Sequence, residues 1–223
     1  MTDFAYTQAI MEALEALYGE AHWSPRFDPM EELVSCILSQ HTSDVNSLRA
    51  FANLQRRYPT WQAVVQAPTE ELADTIRSGG LADTKAARIQ NVLRQIHQSQ
   101  GEYSLHNLND LADSEARKYL MSLPGVGPKT AAIVLCFAMG RPVIPVDTHI
   151  FRVAWRLGLI EKRIGEAKAH DALQAQVAPE SVFRFHVALI THGRRICKAL
   201  NPRCSECPVK EVCFTYRESD AVR

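Results

Sequence analysis

Apolar residues recur at helical spacing along almost the whole chain, and polar or glycine-containing breaks cut them into segments. Ile10, Leu14 and Leu17 place a first helix over residues 3–18, opening at Asp3 and stopped by Gly19. Asp28 is an N-cap and Pro29 a first helical residue for the next, which carries Leu33, Val34, Ile37 and Leu38. The polar run Ser39-Gln40-His41-Thr42-Ser43-Asp44 breaks the pattern, and Ser43 or Asp44 caps a third helix with Val45, Leu48, Phe51 and Leu54. Short helices start at Thr60 and at Pro68-Thr69. The turn Ser78-Gly79-Gly80-Leu81-Ala82-Asp83 leads to a long helix, capped by Asp83 or Thr84, with Ala86, Ile89, Val92, Leu93 and Ile96 on its apolar face. Further helices are expected over 111–122, from Pro128, and over 148–157, 165–177 and 179–192, with Gly193 as the last stop. No stretch reads as a strand, a repeat or a low-complexity segment, and most aromatic residues fall on apolar faces and are assigned to the core.

The densest signal is Leu123-Pro124-Gly125-Val126-Gly127-Pro128-Lys129-Thr130-Ala131, followed by an apolar run to Met139 and by Pro145-Val146-Asp147-Thr148-His149-Ile150. One helix ends just before the two glycines, whose backbones tolerate a tight turn. Pro128 suits a first helical position because its missing N–H would be unpaired there anyway. The result is a helix, a glycine hairpin and a helix, with hairpin N–H groups and a positive dipole end that form an anion site. A nucleic-acid phosphate is the obvious occupant. Lys129 lies in the first turn, where a cation opposes the helix dipole. Partly buried there, it is a candidate Schiff-base nucleophile; the plainer reading makes it a phosphate contact. Asp147, 18 positions further on, is either its partner or simply the N-cap of the following helix.

Of six cysteines, Cys36 and Cys136 lie on apolar faces and act as small hydrophobes. Cys197, Cys204, Cys207 and Cys213 form C-x6-C-x2-C-x5-C within 17 residues, which argues for a metal site over disulfides. The spacing alone permits a four-thiolate zinc site or a [4Fe–4S] cluster. His186 and His192 lack zinc-protease spacing and are assigned to packing or capping.

A length of 223 residues allows one large domain or two small ones, and 46% hydrophobic with 22% charged residues is ordinary for a globular protein. No run reaches membrane-span length, and Met1-Thr2-Asp3-Phe4 does not read as a signal peptide, so a cytoplasmic protein without membrane contact is expected. Lys plus Arg and Asp plus Glu both number 25, so any attraction for nucleic acid must come from the distribution of charge. Residues 184–217 carry seven basic side chains against two acidic ones, while Glu12, Glu15, Glu20, Glu31 and Glu32 make the N-terminal part acidic.

The segments LPGVGPKTAAIVL and VDTHIFRV, with 38–44, 80–85 and the C-terminal cysteines, resemble the endonuclease III branch of the helix-hairpin-helix DNA glycosylases over nearly the whole chain. The resemblance implies an all-α fold of two helical lobes with a DNA-binding cleft between them: residues 22–132 with the hairpin, and 1–21 plus 133–223 with an iron–sulfur cluster. It implies that Gly125, Val126 and Gly127 grip DNA phosphate through backbone N–H groups, that Lys129 attacks C1′ of the damaged nucleotide, and that Asp147 supports the attack electrostatically. Leu81 matches an apolar wedge and His41 a plug, which enter the space left by a flipped base. His41 stands where well-known members carry Gln, and Ala82 where some carry an aromatic residue. The four C-terminal cysteines become ligands of a [4Fe–4S] cluster that pins 198–203, so that Lys198 and Arg203 meet phosphates. The implied function is bifunctional base-excision repair: a glycosylase with AP lyase activity, monomeric, acting on damaged bases, oxidised pyrimidines above all, or abasic sites in double-stranded DNA. The alternatives are a monofunctional mismatch glycosylase, which would lack the lysine nucleophile, and a non-catalytic DNA-binding module with a redox cluster.

Overall fold

The computed structural model describes residues 4–220 of the chain, which divides into two compact units, Pro25–Met139 and the combination of Met1–Ser24 with Gly140–Arg223. Among the described residues every regular element is helical. Asp3, expected to open the first helix, lies outside them. Helix α1 (Phe4–Tyr18) buries Ile10, Met11 and Leu14, whereas Leu17 is exposed.

In the unit Pro25–Met139, α2 (Pro29–Ser39) is the central element. Its start is doubly fixed: Asp28 Oδ1 accepts from the N–H groups of Met30 and Glu31 at 2.8 and 3.1 Å, and the Glu31 carboxylate accepts from the Asp28 N–H. Leu33, Val34, Ile37 and Leu38 are fully buried, each at 0% exposure. Helix α3 (Asp44–Arg57), capped by Ser43, packs on α2; α4 (Trp61–Gln66), capped by Thr60, follows, and α5 (Thr69–Thr75) packs on α3. Helix α6 (Ala82–Gln100) starts earlier than its expected caps Asp83 and Thr84. Its N-cap is Leu81, in a left-handed conformation and without a side-chain cap bond. Helix α7 (Asp113–Ser122) leads through the hairpin to α8 (Pro128–Ile133), which runs directly into a π-turn, Val134–Ala138. The unit ends after that turn, at 139/140, so a lobe boundary at 132/133 would cut a continuous helical run.

The other unit continues with α9 (Thr148–Leu157), α10 (Gly165–Gln174), α11 (Val182–Arg195) and α12 (Phe214–Asp220). Helix α11 packs on both α1 and α9. Gly193 lies inside α11 and does not stop it. Its role is close approach: a Cβ there would meet His149 Cβ at 3.0 Å and Val153 Cγ2 at 3.2 Å. Two other expectations also fail. Phe51 and Phe185 are buried, but Phe4, Trp23 and Phe214 are exposed, because they sit at element ends and loops where an apolar periodicity no longer reports the core. Arg184 is not a free cation of the basic run, since Glu15 holds it at 2.6 and 2.9 Å and Glu20 at 3.3 Å.

Gly193→Val should therefore destabilise the fold by about 1–3 kcal/mol, the usual cost of overpacking a tight contact. A urea midpoint equal to wild type would show that α9 and α11 can move apart freely.

Candidate nucleic-acid interface and cluster site

The two hairpin glycines do different work. Gly125 has φ +74°, and a Cβ there would lie 2.4 Å from Arg88 Nε. Gly127 is extended at φ −95°, ψ 178°, and a Cβ there would meet nothing within 4 Å. Their N–H groups have no partner among the described residues. Val126 departs from expectation: its side chain is buried and its N–H donates to Leu123 O at 3.1 Å, so that N–H is not available to an anion. Val126 anchors the hairpin in the core instead. Lys129 is exposed, not partly buried, and its ammonium has no hydrogen-bond or ion-pair partner among the described residues.

His41 and Leu81 are both exposed, Leu81 by 59%, and both have left-handed backbones, with φ of 54° and 49°. Among the described residues one further non-glycine residue has positive φ, Asn201 at 50°, in the loop between Cys197 and Cys204. These three exposed, strained positions are thus one in each of the three loops that the sequence singled out. Such strain concentrates where a loop must present a side chain in a fixed direction.

The supports of these loops are residues that sequence reasoning passed over. Lys85, on α6, is 2% exposed, and its Nζ donates to Leu38 O and Gly79 O, both at 2.7 Å. Burial, and then the neighbouring Arg88 charge, lower its affinity for a proton. Arg88 donates to Gln40 Oε1 at 2.5 Å, and Gln40 Nε2 donates to Gly125 O at 3.1 Å, which ties the hairpin to the end of α2. A signal for Lys85 existed: it shares a helical face with Ile89, Val92 and Ile96, where a solvated lysine does not belong.

In the second unit Asp147 is 7% exposed and caps α9, its Oδ1 accepting from the Ile150 N–H at 2.8 Å. The cap uses one carboxylate oxygen; Oδ2 has no hydrogen-bond partner among the described residues. Further along α9, Arg152 donates to Cys197 O at 3.0 Å and Gly193 O at 2.8 Å. Arg156 donates to Lys198 O at 2.8 Å and Ala199 O at 3.2 Å, and its Nη1 lies 3.3 Å from Cys197 Sγ. The spacing of Arg152 and Arg156 puts both on one face of α9, turned to the cysteine loop.

Cys197, Cys204, Cys207 and Cys213, all half-buried, line a single cavity of about 250 Å³. Among the described residues no three His, Cys, Asp or Glu side chains gather as they would around one ion. An all-thiolate set spread around a cavity fits a cluster, with one thiolate per iron, better than it fits zinc, which draws four ligands to one centre. Burial pushes the Cys207 thiol up to about 11 and also raises that of Cys213, so taking them as thiolates releases protons. His192, expected only to pack or cap, reaches this site. Its Nε2 is 3.5 Å from Cys207 Sγ and its Nδ1 is 3.0 Å from the Tyr18 hydroxyl. Burial pushes His192 down to about 4, so the ring is neutral; a phenol donating to Nδ1 leaves the Nε2 proton facing the sulfur. His186 does pack, buried in α11 with its Nδ1 2.9 Å from Pro145 O. Burial pushes Cys136 up to about 12 and raises Cys36 well above the thiol range, so both stay inert thiols.

Lys198 and Arg203 are exposed on the loop that Arg156 holds. Arg203 is already engaged, donating to Arg195 O at 2.8 Å and pairing with Glu206 at 3.0 Å. Lys198 has no such partner among the described residues, which leaves it the freer cation.

Residues 34–179 match the model of the HhH-GPD superfamily of base excision DNA repair proteins, and 197–213 match the iron–sulfur binding domain of endonuclease III. Endonuclease III of Thermotoga maritima is 37% identical over 191 residues, covering 85% of this chain and 84% of that protein. Endonuclease III of Bacillus subtilis is 35% identical over 193 residues, 86% and 84% of the two chains. A candidate DNA glycosylase of Arabidopsis thaliana is 38% identical over 168 residues, 75% of this chain, which spans only 57% of the plant protein. Among solved structures, a non-covalent endonuclease III–DNA complex aligns with TM-score 0.82 at 29% identity, covering 99% of this chain and 100% of that one. A trapped endonuclease III–DNA covalent intermediate gives 0.81 at the same identity and coverage.

Purified protein should be yellow-brown and contain iron and acid-labile sulfide. Serine at Cys197, Cys204, Cys207 or Cys213 should lower the iron content, while Cys36→Ala should not. Zinc without sulfide, in protein from iron-replete cells, would overturn the cluster assignment.

Proposed function

The chain belongs to the endonuclease III family of HhH-GPD base excision DNA repair proteins, and on that footing we propose that it is a bifunctional DNA glycosylase with AP lyase activity, acting on damaged bases, oxidised pyrimidines foremost, in duplex DNA. The observation that carries this reading is Lys129: an exposed, uncommitted amine two residues past the last glycine of a hairpin whose Gly125 and Gly127 N–H groups are open. The hairpin holds a phosphate by those N–H groups and by the positive end of α8. That contact brings the sugar to the amine. The Lys129 nitrogen bonds to C1′ as the glycosidic bond breaks and the base leaves. Opening of the sugar ring then breaks the C1′–O4′ bond, O4′ taking up a proton as the nitrogen forms the C1′=N Schiff base. That imine acidifies C2′, and loss of the C2′ proton breaks the C3′–O bond and expels the 3′ phosphate, nicking the strand.

Asp147 contributes its negative charge to the positive character that develops at the sugar, through the carboxylate oxygen left over from capping α9. His41 and Leu81 fill the gap opposite a flipped base, and fixed left-handed backbones support this because they hold both side chains outward before DNA arrives. Cys197, Cys204, Cys207 and Cys213 would hold a [4Fe–4S] cluster, whose contribution is to fix the fold of the loop that presents Lys198 and Arg203. A monofunctional glycosylase needs no amine at position 129, and a purely DNA-binding module has no use for it. No helix among the described residues is long and apolar enough to cross a membrane. The protein is read as a monomer that works on DNA in the cytoplasm, associated with the nucleoid when bound.

Borohydride should lock the protein covalently onto a lesion-bearing duplex, and Lys129→Ala should abolish the adduct with DNA binding largely retained. An adduct that survives the substitution assigns the nucleophile elsewhere.

Asp147→Asn separates the cap from the charge. Asn caps helices about as well as Asp, so thermal stability should hold. Base release should fall roughly 100-fold or more, as when a group that stabilises transition-state charge is removed. Activity near wild type would leave Asp147 as a cap alone.

A further inference from the structure

Lys85 is a buried cation that the chemistry above does not use. Its hydrogen bonds go to carbonyl oxygens on two different elements, Leu38 O near the end of α2 and Gly79 O at the end of a 3-10 turn. Leu38 is three residues before His41, and Gly79 is two residues before Leu81. One ammonium therefore grips the base of both loops that carry an exposed left-handed side chain. The Leu38 carbonyl is among the last of α2, where a cation is favoured by the helix dipole. The fit on the Gly79 side leaves little slack, since a Cβ there would lie 3.2 Å from Ala50 Cβ. The same first turns of α6 carry Arg88, which extends the link through Gln40 to the hairpin carbonyl of Gly125.

We propose that Lys85 is a positioning residue that couples the His41 loop to the Leu81 loop, so that the two side chains meet the base opposite a lesion as one preset pair. An apolar side chain of similar length would fill the same space without a desolvation cost. It would leave the two carbonyls unpaired and the two loops free to adjust separately. This inference rests on the reading that both loops face the duplex.

The test is a double-mutant cycle on nicking of a lesion-bearing duplex, measured for each of the four opposite bases. His41→Ala and Leu81→Ala change exposed residues and leave the core intact. In otherwise wild-type protein the double variant should differ from the product of the single effects by a factor of roughly three or more, as for coupled sites. In the Lys85→Met background the cycle should close to within about twofold. Lys85→Met should also flatten the ranking of opposite bases and raise KM for duplex, while cleavage of a single-stranded abasic oligonucleotide, which has no opposite base, stays unchanged. Lys85→Arg, which can still donate to both carbonyls, should restore the ranking. If the cycle is additive in wild-type protein, the loops are independent and the proposal fails, even if Lys85→Met does not fold. Equal losses on single-stranded and duplex substrates would reduce Lys85 to a general stabiliser and overturn it too. Failure of the wild type to nick or to be trapped on any duplex would instead sink the enzymatic reading on which the inference stands.

Discussion

Cationic side chains bonded to carbonyl oxygens hold the exposed loops of this protein in shape. A loop has no ladder partner, so its carbonyls need donors from elsewhere. In the unit Pro25–Met139 the donor is Lys85, on Leu38 and Gly79. In the other unit Arg152 and Arg156 serve Cys197, Lys198 and Ala199. Hydrogen bonds to a charged group contribute about 1.5–3 kcal/mol each. A left-handed non-glycine residue, such as His41, Leu81 or Asn201, costs about 1–3 kcal/mol, the same order as one such bond.

Helix α9 connects two features that the sequence presented as separate. Asp147 caps its start and Arg156 sits near its end, on the cysteine loop. Ten residues of α-helix span about 15 Å. The carboxylate and the loop are therefore mounted on one short rigid rod, and Gly193 lets α11 lie close against it. A disturbance of the cysteine loop reaches Asp147 through a single helix, with no flexible joint between.

Legibility in the sequence followed the range of the interactions. The Asp28, Ser43, Thr60 and Asp147 caps act within three residues of themselves, and the structure has them where the local pattern starts a helix. The cysteine spacing is equally local. The start of α6 was not legible, because Leu81 caps it by backbone conformation and not by a side chain. Gly193 read as a stop because its reason, the proximity of His149, lies 44 positions away. Arg184 counted only as one basic side chain of residues 184–217, because its partner Glu15 is 169 positions distant. Val126 read as an anion donor because nothing in its own type reveals that its N–H turns back to Leu123.

The same long range shapes how the protein is made. Helix α1 belongs with residues that begin at Gly140. Its Tyr6 hydroxyl lies 2.9 Å from both Leu157 O and Val212 O, with one proton to share between them, and Thr7 Oγ1 donates to Gln176 O at 2.7 Å. Pro25–Met139 is contiguous and can close its core without later residues, whereas α1 must wait for partners such as Gln176, made 169 positions after Thr7. Val212 follows Tyr6 by 206 positions, an interval of roughly 10–40 s at ribosomal rates of about 5–20 residues per second. Until α11 has been made, Ile10, Met11 and Leu14 lack the helix that α1 packs against, and they form an apolar stripe suited to a holding chaperone.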